Sequence, residues 1–178
     1  MDGSKPTCLI QTWSGKLIDL MSIQPGDIRM ADVAHSLSVI PRWNGHTRRF
    51  YSVAQHSVHV SNLCCVEDRL WGLLHDAAEA YVCDLPRPIK QLYGMTGYCS
   101  LEKQVLRAIA VEVGLPPVMP DSIHAADCVA LATEYRDLFT VHHDLGLVMP
   151  DPCMIRIEPL CSDEAKALFI STFEDLHG

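Results

Sequence analysis

Residues 71–90, WGLLHDAAEAYVCDLPRPIK, constrain the fold more than any other stretch of the chain. The run opens as a helix that is apolar almost all the way round, through Trp71, Leu73, Leu74, Ala77, Ala78 and Val82, the pattern of a helix buried on most sides. His75, Asp76 and Glu79 interrupt it. On a helix His75 and Glu79 stand at i, i+4, and Asp76 and Glu79 at i, i+3, so the three form one patch. Burying such groups without partners costs roughly several kcal/mol, so each needs a counter-charge, a hydrogen bond or a metal. A structural His-Asp ion pair and a metal site both satisfy that demand.

The chain of 178 residues suits one domain with a real core, taken here as residues 1–178. With 48% hydrophobic and 20% charged residues it has the composition of an ordinary globular protein. The opening MDGSKPT lacks the apolar core of a signal peptide, and no apolar run is long enough for a membrane span. The expected compartment is therefore the cytoplasm, with no membrane partner. A formal charge of −8 argues against a nucleic-acid polymer as partner, while leaving room for a small anion near locally clustered basic residues. The eight cysteines show no C-x-x-C and no disulfide framework, and read as reduced thiols among apolar neighbours.

Residues 9–20 form two alternating segments around Ser14-Gly15, the pattern of a hairpin. A short helix over 31–39 follows, with Val33, Ala34, Leu37 and Ile40 on its apolar side and Pro41 as its stop. The stretch PRWNGHTRRFYS carries Arg42, His46, Arg48 and Arg49, beside a large flat side chain in Trp43 and a permissive Gly45. Such a loop is either simply solvated or built to hold a base and a phosphate. Ser52 and Gln55 match a capping box for the next helix, on which His56 lies in the first turn beside the basic loop. His59 reads as structural.

The helix of the opening motif should run over 67–83, ended by Pro86 and Pro88, with Asp84 at its mouth near Arg87 and Lys90. A short helix over 89–93 comes next. A longer one over 101–113, capped by Ser100, ends at Gly114-Leu115-Pro116-Pro117. The helix from 121 or 122 to about 141 places Asp127 among small apolar residues, an inward-facing acid that needs a partner. Residues 142–161 read as an extended loop with a short strand at 154–157, and Ser162 caps the last helix. The expected fold class is all-α: a bundle of about six or seven helices with a small N-terminal β-hairpin.

The inward-facing ligand types are then His56, His75, Asp76 and Asp127, distributed over three helices that a bundle can bring together. Two imidazoles and two carboxylates suit one divalent transition-metal ion, Mn²⁺, Co²⁺, Fe²⁺, Ni²⁺ or Zn²⁺, better than Mg²⁺.

The order H…HD…D, together with PRWNGH, SVAQHS, LLHDAAEAYVCDLPRPIK and HAADCVALATEYRDL, resembles the HD-domain phosphohydrolase superfamily. The likeness runs through most of the chain and is nearest to the small 5′-deoxynucleotidases of prophage type and to phage deoxynucleoside triphosphohydrolases. The resemblance implies His56, His75, Asp76 and Asp127 as metal ligands, with Glu79 and Asp84 as the acid/base pair around the scissile bond. It makes Arg42 a phosphate-binding residue, with Lys90 as a further candidate, and Trp43 the aromatic that packs on the deoxyribose. His46, with Arg48 and Arg49, falls in a loop typical of the prophage-like members, where it is either a further phosphate site or a solvated rim. Glu134 is expected to pair with Arg136 or another basic group.

The implied activity is hydrolysis of 2′-deoxynucleotides, first as a 5′-deoxynucleotidase releasing phosphate from deoxynucleoside monophosphates. Its rival is a triphosphohydrolase that frees triphosphate from a substrate such as dATP. A catalytically silent nucleotide-binding protein is a third possibility. By the same resemblance the chain is expected to form homo-oligomers.

Overall fold

The computed structural model describes residues 7–178, so the polar opening over residues 1–6 lies outside the described residues. Strands β1 (Leu9–Gln11) and β2 (Leu17–Asp19) pair antiparallel, with Ile10 opposite Ile18. Gly15 makes the turn at φ 84°, a conformation glycine adopts without steric cost. Ile18 points inward at 2% exposure, whereas Leu17 is 63% exposed, the period-two alternation of a half-buried strand.

Helix α1 (Met30–Val39) buries Val33, Ala34 and Leu37, and the chain turns extended at Ile40 before Pro41. Helix α2 (Val53–Leu63) is the centre of the molecule, touching α1, α3 (Arg69–Leu74), α7 (Asp121–Leu138) and α8 (Ser162–His177). Its residues Val53, Ala54, His56, Ser57, Val60 and Ser61 are all fully buried. Ser52 accepts a hydrogen bond from the Gln55 backbone at 3.2 Å, so that half of the expected capping box forms. The other half does not: the Gln55 side chain instead donates to the Glu158 carbonyl and accepts from the Leu160 backbone.

The helix expected over 67–83 is interrupted. It splits into a 3₁₀ turn (Val66–Asp68), α3, four residues of tight turn at 75–78, and α4 (Glu79–Val82). The backbone bonds Ala77 to Leu74, Glu79 to Asp76 and Tyr81 to Ala78 all span three residues instead of four. A three-residue repeat eclipses positions i and i+3, which stacks Glu79 over Asp76. Gly72 allows α3 to lie directly on α2, because a Cβ there would come within 2.9 Å of the Ser61 Cα.

Helix α5 (Arg87–Lys90) is a single turn that begins two residues before the expected one. Helix α6 (Thr96–Glu112) starts ahead of Ser100, which lies inside the helix and does not cap it. Helix α8 is capped by Cys161, whose backbone donates to Glu164, and Ser162 is its first helical residue. The return segment before α8 holds no strand. Its backbone groups bind side chains instead: Thr133 accepts from Cys153, Arg136 donates to the Cys153 and Ile155 carbonyls, and Asp137 accepts from Ile157.

The outcome is an all-α bundle with a small hairpin, in eight helical segments among the described residues. The core lies between the hairpin, α1, α2, α3, α4, α6 and α8, with a smaller cluster of Val60, Trp71, Ala110, Ile123, Ala126 and Ala130 beside it. No described helix is long and apolar enough to cross a membrane. All eight cysteines are free thiols.

Candidate functional site

Three of the side chains singled out by sequence meet at one point. The ligand atoms of His56, His75 and Asp76 all lie within 4.8 Å of one another, a group that could hold a metal ion. His56 Nε2 is 3.3 Å from His75 Nε2 and 3.5 Å from Asp76 Oδ2, and His75 Nε2 is 3.2 Å from the same carboxylate oxygen. Asp127 joins through His56, with Oδ1 3.4 Å from Nε2. An ion about 2.1 Å from each N or O donor, at tetrahedral to octahedral angles, separates neighbouring donors by about 3.0–3.4 Å. The donor set and its spacing therefore fit a divalent ion.

Both imidazoles are held from behind. His75 Nδ1 donates to the Gly72 carbonyl at 2.8 Å, and His56 Nδ1 donates to Glu134 Oε1 at 2.5 Å. In each ring that leaves Nε2 turned toward the group, the arrangement by which an outer acceptor fixes the tautomer of a metal-ligating histidine.

A cavity of about 440 Å³ opens beside the group. Arg42, Trp43, Asp76, Glu79, Asp84, Arg87, Lys90 and Asp127 all line it. Arg42 reaches Asp76 at 3.5 Å and Glu134 at 3.4 Å. Arg87 lies 3.3 Å from Asp127, and Lys90 donates to Glu102 at 2.7 Å with Glu79 at 3.5 Å. The Glu79 carboxyl is buried, and its Oε2 has no hydrogen-bond partner among the described residues. His46 is the one candidate that stays apart: it is exposed, its backbone closes a turn onto the Trp43 carbonyl, and it does not line the cavity. Arg48 and Arg49 also face elsewhere, donating to the carbonyls of Asp137 and Pro159.

No family model matches the chain. It is 40% identical over 170 residues to the uncharacterized protein YfdR of Escherichia coli, a match covering 94% of each. The chain belongs to the YfdR family. A second relative, the uncharacterized protein RCAP_rcc00048 of Rhodobacter capsulatus, is 35% identical over 159 residues, covering 80% of this chain and 81% of its own.

The charges of the group in this YfdR-family chain could be balanced by a cation. Burial opposes the Asp76 anion, but His75, His56 and Arg42 hold it well below the usual carboxylate range. Burial opposes Asp127 as well, and the hydrogen bond and charge of His56, with His75, bring it down to about 2. Burial and Arg42 disfavour protonation of His56, yet Glu134 and Asp127 carry it up to about 9. A proton there is the cation the cluster takes when nothing else neutralises it. Glu79 goes the other way, pushed up to about 10 by burial and then by the Asp76 and Asp84 charges. Burial, with Asp76 adding to it, also raises Asp84.

Glu134 pairs with a basic group, as expected, and that group is Arg42. It is fully buried, and the other basic group named for it, Arg136, forms its ion pair with Asp137 instead. Glu134 also accepts from the Trp43 indole at 2.9 Å, so one carboxylate orients His56, Arg42 and Trp43. The signal was present, since Glu134 stands seven residues and two turns after Asp127 on the same helix face. Trp43 adopts a left-handed backbone at φ 55°, ψ 32°, unusual for so bulky a residue. Its bond to Glu134 and its packing on Tyr135 and Phe139 hold it there.

Proposed function

We propose that this chain is a metal-dependent phosphohydrolase of the HD-domain type that acts on 2′-deoxynucleotides, releasing phosphate from deoxynucleoside monophosphates. One observation carries the reading. His56, His75 and Asp76 gather their donor atoms, with Asp127 against His56, beside a cavity in which Glu79 keeps a buried, unpartnered carboxyl oxygen. A buried carboxyl oxygen without a partner is costly in a purely structural cluster and is expected where a substrate completes the bonding.

The ligands would be His56, His75, Asp76 and Asp127, and the donor set favours Mn²⁺, Co²⁺, Fe²⁺, Ni²⁺ or Zn²⁺ over Mg²⁺. When bound, such an ion supplies polarisation of a phosphoryl oxygen and acidification of water. Glu79, held protonated by its surroundings, can donate a proton to the leaving oxygen or hydrogen-bond the phosphate. Asp84 sits across the cavity mouth as the second acid/base group. Arg42 brings a guanidinium fixed by two carboxylates to the phosphate, and Lys90 adds a charge held by Glu102 and Glu79. Trp43 offers the sugar a flat face whose orientation Glu134 sets.

The charge balance favours a monophosphate over a triphosphate. Three cationic residues, Arg42, Arg87 and Lys90, line the cavity, and each is already paired with a carboxylate, Arg42 with Asp76, Arg87 with Asp127 and Lys90 with Glu102. Of the further basic residues that could serve a triphosphate, Arg48 and Arg49 bind backbone carbonyls and do not line the cavity.

The deciding experiment incubates the protein with Mn²⁺, Co²⁺ or Zn²⁺ and, in parallel, dAMP, dATP, AMP and ATP. The products to be resolved are phosphate, pyrophosphate and triphosphate. Phosphate from dAMP with little from AMP is the expected result. Intact triphosphate from dATP would replace this reading with a triphosphohydrolase, and no turnover with any metal would leave a nucleotide-binding protein without catalysis.

A further inference from the structure

The cavity beside the His56 group has two unlike kinds of wall. Charged side chains line it, with Leu85, Pro86 and Pro88 interspersed among those of residues 84–90, while Leu131, Leu145 and Leu147, from α7 and the segment after it, contribute only uncharged carbon surface. A free phosphate or a sugar phosphate would leave that carbon unused. Leu131 follows Asp127 by four residues on α7, so both occupy the same face with a rise of about 6 Å between them.

Leu145 and Leu147 come from the segment after α7 and flank Gly146, which turns the chain at φ 65° while its amide donates to Asp144 at 2.8 Å. The two leucines are 42% and 47% exposed, so packing of the fold itself leaves them half uncovered. The segment is nonetheless held in place. Tyr135 Oη accepts from the His143 backbone at 2.6 Å, and His142 Nε2 donates to the Tyr135 carbonyl at 2.9 Å. The Tyr135 ring lies against Trp43 with centroids 6.0 Å apart, so the segment and the cavity tryptophan share one support.

We infer that Leu131, Leu145 and Leu147 form the wall that receives the nucleobase, while the charged lining holds the phosphate. The inference rests on the deoxynucleotide reading and adds to it the residues that meet the base. Leucine side chains offer no hydrogen bond, so this contact ranks bases by buried area, purines ahead of pyrimidines, and rejects none of them strongly.

The test compares wild type with a Leu145→Ala/Leu147→Ala double variant. Both residues are half exposed on a loop, and thermal melting checks that the fold is retained. Calorimetric titration with deoxyadenosine reads the base contact without turnover, and steady-state kinetics follow dAMP and deoxyribose 5-phosphate. Losing two half-buried leucine contacts should weaken deoxyadenosine binding and raise the KM for dAMP by about tenfold each. The kcat for dAMP and the turnover of the base-free deoxyribose 5-phosphate should stay unchanged. Equal deoxyadenosine affinity in the two proteins, or no binding by wild type, overturns the inference. Wild type that binds deoxyadenosine more tightly than the variant but hydrolyses no deoxynucleotide upholds the wall and removes the hydrolase reading. Hydrolysis of dAMP with a KM unaltered by the double substitution does the reverse.

Discussion

Glu134 Oε1 accepts the Nδ1 proton of His56 at 2.5 Å, and both side chains are fully buried. The carboxylate fixes which ring nitrogen carries the proton and so which one faces Asp76 and Asp127. Burial opposes its charge, but Arg42 and His56, with hydrogen bonds from His56 and Trp43, hold it down at about 2. Glu134→Gln keeps the shape and removes the charge. Its affinity for Mn²⁺ should fall about 10–100-fold, the usual cost of losing a partner behind a metal-ligating histidine. Calorimetric titration with Mn²⁺ reads this directly, and an affinity equal to that of wild type would reduce Glu134 to a packing residue.

Cys83 sits at φ 71°, ψ 156°, a region that is essentially glycine's own. The kink turns the chain out of α4 just before Asp84, which lines the cavity, and the Tyr98 hydroxyl donates to the Cys83 carbonyl at 2.6 Å. Strain of this kind costs about 1–3 kcal/mol, against about 0.5–1 kcal/mol for the added freedom of an unfolded glycine. Cys83→Gly should therefore raise stability by about 1 kcal/mol, or about 2–4 °C in Tm for a chain of this size. A melting temperature at or below that of wild type would show that the backbone at Cys83 carries no strain.

Gly72 is where the two histidine-bearing elements touch. A Cβ at this position would meet Cys64 Sγ at 2.7 Å and Ser61 Cα at 2.9 Å, and the second of these is backbone that cannot swing aside. Gly72→Ala must push α3 away from α2, costing about 1–3 kcal/mol in urea unfolding. Because the Gly72 carbonyl also anchors His75, the variant should bind metal more weakly than its lost stability alone requires. A loss under about 0.5 kcal/mol would mean the helices separate freely.

The long amphipathic runs were readable because their apolar spacing reports burial directly: α1, α2, α7 and α8 lie within a few residues of where periodicity puts them. The convergence of His56, His75 and Asp76 was also readable, since each sits as a charged interruption in an otherwise apolar face. Residues 75–78 were not. Nothing in HDAA distinguishes a four-residue from a three-residue repeat, and the backbone bonds alone show the tightening. The strand expected at 154–157 failed for a related reason. Its β-branched residues suit a ladder, but the neighbours it meets are the side chains of Arg136 and Asp137, which take its backbone bonds one by one. That Glu134 pairs with a basic group was readable, but which one was not, because Arg42 is distant in sequence and Arg136 is near.

Asp137 ties α7 to the return segment, accepting from Arg136 at both oxygens, from Arg156 at 2.5 Å and from the Ile157 backbone at 2.9 Å. Burial opposes its charge, yet these hydrogen bonds, Arg136 foremost, hold its carboxyl well below the usual carboxylate range. A folded-state pKa depressed in this way adds stability above the unfolded value of about 3.9, and the contribution drains away as pH falls below it toward the folded value. Asp137→Asn should therefore lower stability by about 2–4 kcal/mol at pH 7, where three charge-assisted bonds are lost. The gap between the two proteins should hold from pH 7 to about pH 5 and shrink below about pH 4, as protonation removes the wild-type advantage. Other depressed carboxylates titrate over the same range, but they are common to both proteins and cancel in the difference. Melting curves of the pair from pH 7 to pH 3 give the answer: a gap that stays constant with pH would mean that Asp137 acts through its shape and not through its charge.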